Sequence, residues 1–257
     1  MSDSLAASSF QSLHLQADTP GRVLVLDSGV GGLSVQREIK QALPEAGLLY
    51  LADRAAFPYG DWDAGELCEH LSKLVRSVSE AWSPSAVVVA CNTASTLVLE
   101  SLRSFLKVPV VGTVPAIKPA AQQTRSGVFA VLATPGTVKR DYTQDMIVDF
   151  APDHHIALVG ASGLAALAED KMAGRGVDLG RLKQEIAPCF VEKDGQRTDC
   201  VVLGCTHYPF LQEEMARIAP WPVTWIDPAP AIARRLAQVV DKDALAIGCD
   251  DLFFVTN

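Results

Sequence analysis

Eight short runs rich in Val, Ile and Leu recur along the chain, each ending in polar or glycine-containing residues and separated by stretches of helical period. They are Val23–Leu26, Leu48–Leu51, Val87–Ala90, Val108–Val111, Val128–Leu132, Ile156–Val159, Val201–Leu203 and Val223–Ile226. A strand that is apolar on both faces needs cover on both faces, and helices between such strands supply it. The pattern therefore predicts parallel sheet in an α/β protein. Helices are expected at Leu33–Ala42, Ala64–Ala81, Ala94–Leu106, Pro115–Gln123, Val138–Phe150, Leu164–Met172, Leu179–Cys189, Pro209–Ile218 and Ala231–Val240.

The runs also repeat. VVVACNT (Val87–Thr93) resembles VVLGCTH (Val201–His207), placing Cys91 and Cys205 at the same point 114 residues apart. VPVVGTVPAI (Val108–Ile117) resembles WPVTWIDPAPAI (Trp221–Ile232), with Pro109/Pro222 and Pro115/Pro228 both offset by 113. VLVLDSGVGG (Val23–Gly32) has a weaker partner in VFAVLATPGTV (Val128–Val138), pairing Asp27 with Thr134 at an offset of 107. One such likeness between α/β strands means little, but three in the same order predict two related halves. The expected architecture is two pseudo-symmetric, Rossmann-like α/β domains with parallel sheets and the active site in the cleft between them. Residues 21–117 with 231–257 would form the first domain and 118–230 the second, after a flexible leader over 1–20.

Ligands of open parallel sheets sit beyond the carboxyl ends of the strands. Asp27-Ser28, Cys91-Asn92-Thr93, Thr134 and Cys205-Thr206-His207 all fall at such ends. If the halves face each other, two cysteines approach one cavity from opposite sides. A thiolate on one side of a carbon can take a proton while a thiol on the other returns one, inverting a stereocentre without a cofactor. A free thiol has a pKa of about 8.5, so the base must be made thiolate by its surroundings. Helix starts after Cys91 and Cys205 would favour the anion. His207 could stabilise the proton of Cys205, and Asp27 could serve beside Cys91.

Other readings compete with this one. Cysteine is among the most buried residue types, and Cys68, Cys189, Cys200 and Cys249 are read as packing. Cys200, Cys205 and His207 lie close in sequence, but their spacing is not that of a zinc site, and no metal is expected. His14, His70, His154 and His155 have surface contexts. The turn Asp27–Ser34 gives G-x-G after a strand, with Asp53 ending the next strand where a ribose-binding acid would stand. Ser34 replaces the third glycine, so a short cradle for a substrate carboxylate competes with nucleotide binding. None of the motif loops carries an arginine for bidentate carboxylate binding, and Ser, Asn and Thr hydroxyls and amides are the donors expected instead.

Composition closes off other classes. Of 257 residues, 49% are hydrophobic and 20% charged, a globular balance. A net charge of −8 argues against holding a nucleic acid through bulk charge. Six cysteines without a C-x-x-C pair do not make a disulfide scaffold, and no basic start with an apolar run marks a secretory signal. No run approaches the roughly 18 apolar residues that span a membrane. The expected setting is a cytoplasmic protein.

The sequence resembles the cofactor-independent glutamate racemases of the aspartate/glutamate racemase superfamily. The resemblance rests on DSGVGGLSV (Asp27–Val35), AFPYGD (Ala56–Asp61), VVACNTAS (Val88–Ser95), VVGTVPAIKPA (Val110–Ala120), LATPGTVKRDYT (Leu132–Thr143), VVLGCTHYP (Val201–Pro209) and IDPAPAIARR (Ile226–Arg235). It implies interconversion of L- and D-glutamate, the D form supplied to peptidoglycan, with no cofactor. It implies that Cys91 and Cys205 are the proton donor and acceptor pair, with Asp27, His207 and Glu169 as helpers. Substrate contacts are implied at Asp27, Ser28, Tyr59, Gly60, Asn92, Thr93, Thr134, Thr137, Thr206 and His207. A homodimer and regulation by a cell-wall precursor are further partners the resemblance allows. The chain ends at DLFFVTN (Asp251–Asn257), where relatives usually continue into a final strand and helix. A racemase of another acidic amino acid, such as aspartate, and a non-catalytic binding protein for an acidic ligand are the competing functions.

Overall fold

The computed structural model describes residues 20–257; the leader expected through Thr19, with His14 in it, lies outside the described residues. All eight apolar runs are strands. In chain order they lie in β1 (Val23–Asp27), β2 (Leu48–Ala52), β3 (Ala86–Val89), β4 (Val110–Gly112), β5 (Val128–Ala133) and β6 (His155–Gly160). A two-residue hairpin, β7 (Glu192–Lys193) with β8 (Gln196–Arg197), precedes β9 (Cys200–Gly204) and β10 (Thr224–Ile226), and β11 (Leu252–Val255) ends the chain. The strands form a five-stranded sheet, ordered β11-β2-β1-β3-β4, and a four-stranded sheet, ordered β10-β9-β5-β6; every pairing in both is parallel.

The three likenesses read from sequence pair β1 with β5, β3 with β9 and β4 with β10. In space β2-β1-β3-β4 corresponds strand for strand to β6-β5-β9-β10. The repeat is thus a repeat of sheet position as well as of residues.

Alternation sorts the core. In the first sheet Leu24, Leu26, Leu49, Leu51, Val87 and Val89 pack against the helices Ala64–Trp82 and Asn92–Phe105. Val23, Val25, Leu48, Tyr50 and Val88 point to the other face, against Leu33–Ala42 and Ala229–Val239. Successive residues of a strand face opposite ways, so a run with no polar interruption fills both layers at once.

The structure departs from expectation in several places. The helix expected over Val138–Phe150 is two: Pro135–Val138, opened by the Thr134 hydroxyl accepting the Thr137 N–H at 3.2 Å, and Asp141–Phe150. Extended backbone at Arg140 separates them. The stretch Leu179–Cys189 is a helix to Ile186 followed by a 3-10 turn. The β7–β8 hairpin turns at Asp194-Gly195, both in the left-handed region; the Asp-Gly pair is the signal for that turn. At the carboxyl end, the short run Leu252–Val255 does form a strand, parallel to β2 in register Leu252↔Leu49.

Thr256 secures that strand. Its hydroxyl donates to Asp53 at 2.7 Å and accepts the Ala55 N–H at 3.0 Å, while Phe254 packs 5.3 Å from Trp82. Thr256→Val removes a donor from a buried carboxylate and strands an amide. It should lower stability by about 2 kcal/mol, read as a reduced urea midpoint at an unchanged slope. Among the described residues no helix is long and apolar enough to cross a membrane.

Candidate active site

The four strand ends singled out in the sequence meet where the two sheets' carboxyl edges face each other. Because β1 pairs with β3, Asp27 stands beside the segment leading to Cys91. Because β5 pairs with β9, Thr134 stands beside the segment leading to Cys205. Both cysteines are buried, 8% and 7% exposed, and near enough that a charge on Cys205 would raise the Cys91 pKa. Hydrogen bonds join the halves around them, among them Ser34 Oγ to the Thr206 carbonyl at 3.0 Å and Thr93 Oγ1 with Thr134 Oγ1 at 3.0 Å.

The glycine turn after β1 binds the protein's own carboxylates. Asp27 Oδ2 accepts the N–H of Gly29 at 3.3 Å and of Gly32 at 2.9 Å, and Glu169 Oε1 accepts that of Val30 at 2.9 Å. This corrects both the nucleotide-loop and the substrate-cradle readings of the turn, since those amides are already committed. The glycines serve close approach: a Cβ on Gly29 would lie 2.3 Å from Glu169 Oε1. Asp53, weighed as a ribose ligand, is likewise committed, to Tyr59 Oη at 2.9 Å, His70 Nε2 at 2.6 Å and Thr256.

On the Cys205 side, His207 Nδ1 lies 3.8 Å from the sulfur and His207 Nε2 lies 3.0 Å from Glu169 Oε1. Burial opposes a charge on His207, but its bonds to Cys205 and Glu169 and the nearby Asp27 outweigh that and hold its pKa up to about 10. An imidazolium therefore faces the sulfur at neutral pH, with the sign a thiolate pairs with. Burial also opposes the Glu169 anion, yet His207, the Val30 amide and Arg54 keep its pKa below the usual carboxylate value.

These shifts fix a pH dependence. A raised His207 pKa contributes stability fully present below about pH 6.5, lost as pH rises toward 10. The lowered Glu169 pKa contributes stability present above its ordinary value and lost as pH falls through the folded one. The thermal midpoint should therefore fall more steeply between about pH 7 and 10 in the wild type than in His207→Gln. Equal slopes by calorimetry would contradict the pairing.

The Cys91 side is built differently. Cys91 ends the β3 segment and caps the helix Asn92–Phe105. Burial pushes its thiol well up, the Asp27 charge pushes the same way, and the helix N–H groups of Ala94 and Thr93 pull back. Cys91 is thus held as the thiol. Asp27 itself is raised by burial, partly offset by His207 and the amides of its own turn. The helix start expected directly after Cys205 is not there: a 3-10 turn, Tyr208–Leu211, intervenes before Gln212–Ile218, and His207 takes over beside the sulfur.

Thr93, Thr134 and Thr137 form a triangle of hydroxyls, with Thr93–Thr137 at 3.3 Å and Thr134–Thr137 at 3.0 Å. Asp27 Oδ1, both amide atoms of Asn92 and Thr206 Oγ1 are buried without a protein partner. These atoms supply acceptor and donor capacity around the two sulfurs. Ser28 is buried at the turn, its N–H on Asp27. Tyr59 is buried in the same packed cluster as Cys91, with its hydroxyl on Asp53; Gly60 is exposed, with open space about its α-carbon.

Some residues here were not foreseen. Arg54, in the 3-10 turn Arg54–Ala56 after β2, lies 3.9 Å from Glu169 Oε2. It stands outside the motifs that carry the resemblance. Tyr50 donates to the Gly29 carbonyl at 2.9 Å beneath the glycine turn. Two of the histidines read as surface residues are not free: His70 pairs with Asp53, because that carboxylate is buried at the end of β2, and His154 sits edge-on to Phe129. Cys189 and Cys200 are buried, with thiols pushed up to about 12 by burial. Among the described residues no three His, Cys, Asp or Glu side chains converge as metal ligands.

Residues 34–236 match the family described as Asp/Glu/Hydantoin racemase. The chain is similar to the glutamate racemase of Brucella canis, 53% identical over 240 residues that cover 91% of this chain and 86% of that one. It is also similar to a solved structure of Escherichia coli glutamate racemase in complex with L-glutamate and the activator UDP-MurNAc-ala. That likeness has a TM-score of 0.85 at 43% identity, covering 92% of this chain and 89% of the other. Glutamate racemase isoform RacE1 from Bacillus anthracis gives a TM-score of 0.78 at 30% identity, covering 92% and 89%.

Proposed function

The chain belongs to the Asp/Glu/hydantoin racemase family, and we propose that it interconverts L- and D-glutamate by proton transfer between Cys91, Cα and Cys205. The observation that carries this reading is the placement of the two thiols at the ends of equivalent strands of two facing halves, within electrostatic reach of each other.

The asymmetry between the sides suggests how a cycle runs. The Cys205 sulfur, facing the His207 imidazolium, takes the Cα proton, and the electron pair passes into the substrate carboxylate. Cys91, held as a thiol, gives its proton to the opposite face of Cα. The enzyme is left with the thiolate on Cys91 and the thiol on Cys205, the form that runs the reverse direction. The hydroxyls of Thr93, Thr134 and Thr137 and the amide of Asn92 can each turn a hydrogen toward a substrate carboxylate. Asp27, whose Oδ1 has no protein partner, and Ser28 would meet the substrate amine, and Gly60 and Tyr59 would contribute through backbone. The division into residues 21–117 with 231–257, and 118–230, follows from the same reading.

The role assigned is supply of D-glutamate to peptidoglycan in the cytoplasm. The Escherichia coli structure holds an activator, and a cavity of about 780 Å³ in this chain, lined in part by Arg103, Tyr142 and Arg235, supports a place for an anionic regulator. The decisive experiment is a panel of D- and L-glutamate and D- and L-aspartate in deuterated water. Loss of optical activity and deuterium at Cα are followed with and without UDP-MurNAc-Ala. Racemisation confined to glutamate is expected. Activity confined to aspartate, or binding without exchange at Cα, would overturn the reading.

A further inference from the structure

We propose that Arg54 is a positioning residue for the Cys205 side of the site, acting through Glu169. The proposal rests on the racemase reading above. Glu169 belongs to the helix Leu164–Met172 of the second half, yet two of its three partners come from the first. Its Oε1 takes the Val30 N–H at 2.9 Å together with His207 Nε2 at 3.0 Å, and its Oε2 faces Arg54 Nη1 at 3.9 Å. Among the described residues only His207 is from its own half. The carboxylate is therefore set from across the cleft.

The platform beneath Arg54 is firm even though the guanidinium is not. Asp53, one residue earlier, is held by Tyr59, His70 and Thr256, and the Arg54 carbonyl accepts the Phe57 N–H at 3.2 Å. Phe57 in turn lies 6.0 Å from the His207 ring. The Arg54 side chain is 55% exposed while that of Glu169 is 12% exposed, so the cation reaches from the rim toward a carboxylate beneath it. Oε1 alone serves both Val30 and His207. A cation on Oε2 stops the carboxylate from rotating that oxygen away from the imidazole. Without Arg54, Glu169 keeps its backbone contact but divides its hold on His207, and with it the placement of His207 on Cys205. Arg54 thereby couples closure of the two halves to the readiness of one thiol.

A racemase has an equilibrium constant of one, so kcat/KM must be the same from either enantiomer, and the effect is sought in kcat, KM and the isotope effect of each direction. Arg54→Ala, Arg54→Lys, Glu169→Gln and Arg54→Ala/Glu169→Gln are compared with wild type on L- and D-glutamate and their 2-deuterated forms. Arg54→Ala should lower kcat about fivefold with KM nearly unchanged. It should raise the deuterium isotope effect in the direction in which Cys205 abstracts the proton. Arg54→Lys should recover most of the loss, and Arg54→Ala should add nothing in the Glu169→Gln background. In parallel, the His207 ring is titrated by NMR without substrate; it faces Cys205, Glu169 and Asp27, and its midpoint should drop in Arg54→Ala. Unchanged kcat and an unchanged His207 midpoint would overturn the proposal. So would a raised KM that persists in the Glu169→Gln background, which would make Arg54 a direct substrate contact. A wild type inactive on glutamate whose His207 midpoint still responds to Arg54 would instead sink the racemase reading and leave the positioning intact.

Discussion

Cys91→Ser and Cys205→Ser are each expected to lower glutamate racemisation by about 10³-fold, equally from both enantiomers. Every turnover needs one sulfur to remove a proton and the other to supply one. The equilibrium constant of unity then forbids rescuing one direction at the expense of the other. A serine hydroxyl is close in shape but holds its proton far too tightly to act as a base at neutral pH. The buried site around Cys91 supplies nothing that would change this. Burial pushes up even the Cys91 thiol, and the Asp27 charge adds to it. The two losses should not multiply: the double variant should be about as slow as either single one, as for residues that act as a unit. Circular dichroism of the reaction from each enantiomer reads the rate. Saturation transfer with bound glutamate shows that the serine variants still bind. Near-wild-type turnover in either single variant would remove the two-thiol mechanism.

How far the sequence foretold the fold and site depends on the kind of physics involved. The runs Val23–Leu26 and Val128–Leu132 were legible because burial on both faces leaves no polar residue in them. Strand ends were legible too, because in a parallel sheet polar residues gather there, and this marked Asp27, Cys91, Thr134 and Cys205. What could not be read was commitment. Nothing in a linear pattern says that the amides of Gly29, Val30 and Gly32 are spent on Asp27 and Glu169. Nor does it say that His70 and Tyr59 close on Asp53. Arg54 was invisible for the same reason. Its partner lies 115 residues away on the other half, and a single arginine in a polar turn reads as surface. Contacts that depend on how two halves meet are written in no local pattern, whereas the repeat that makes the halves is written twice.

The meeting of the halves can itself be perturbed at one atom. Gly31→Ala places a methyl group 2.3 Å from His207 Nδ1 and 2.6 Å from Thr206 Oγ1, well inside any real contact. The imidazole cannot step aside cheaply, since Glu169 holds its far nitrogen at 3.0 Å and Cys205 lies 3.8 Å from the near one. The turn cannot retreat either, because Asp27 grips the amides of Gly29 and Gly32 on both sides of Gly31. The halves must therefore part or His207 must leave the sulfur. A displacement of about 1 Å at a reacting group costs about 10²-fold, and kcat/KM should fall by about that factor. The loss should come with a shifted His207 ring resonance, while the fold persists because both sheets keep their own cores. Gly60→Ala is the matching control for added bulk, since a Cβ there meets nothing within 4 Å, and its thermal midpoint should stay near wild type. Activity of Gly31→Ala within about threefold of wild type would mean that His207 need not stay against Cys205. Glu169, whose hold on the ring acts only from that position, would then lose its part in the reaction as well.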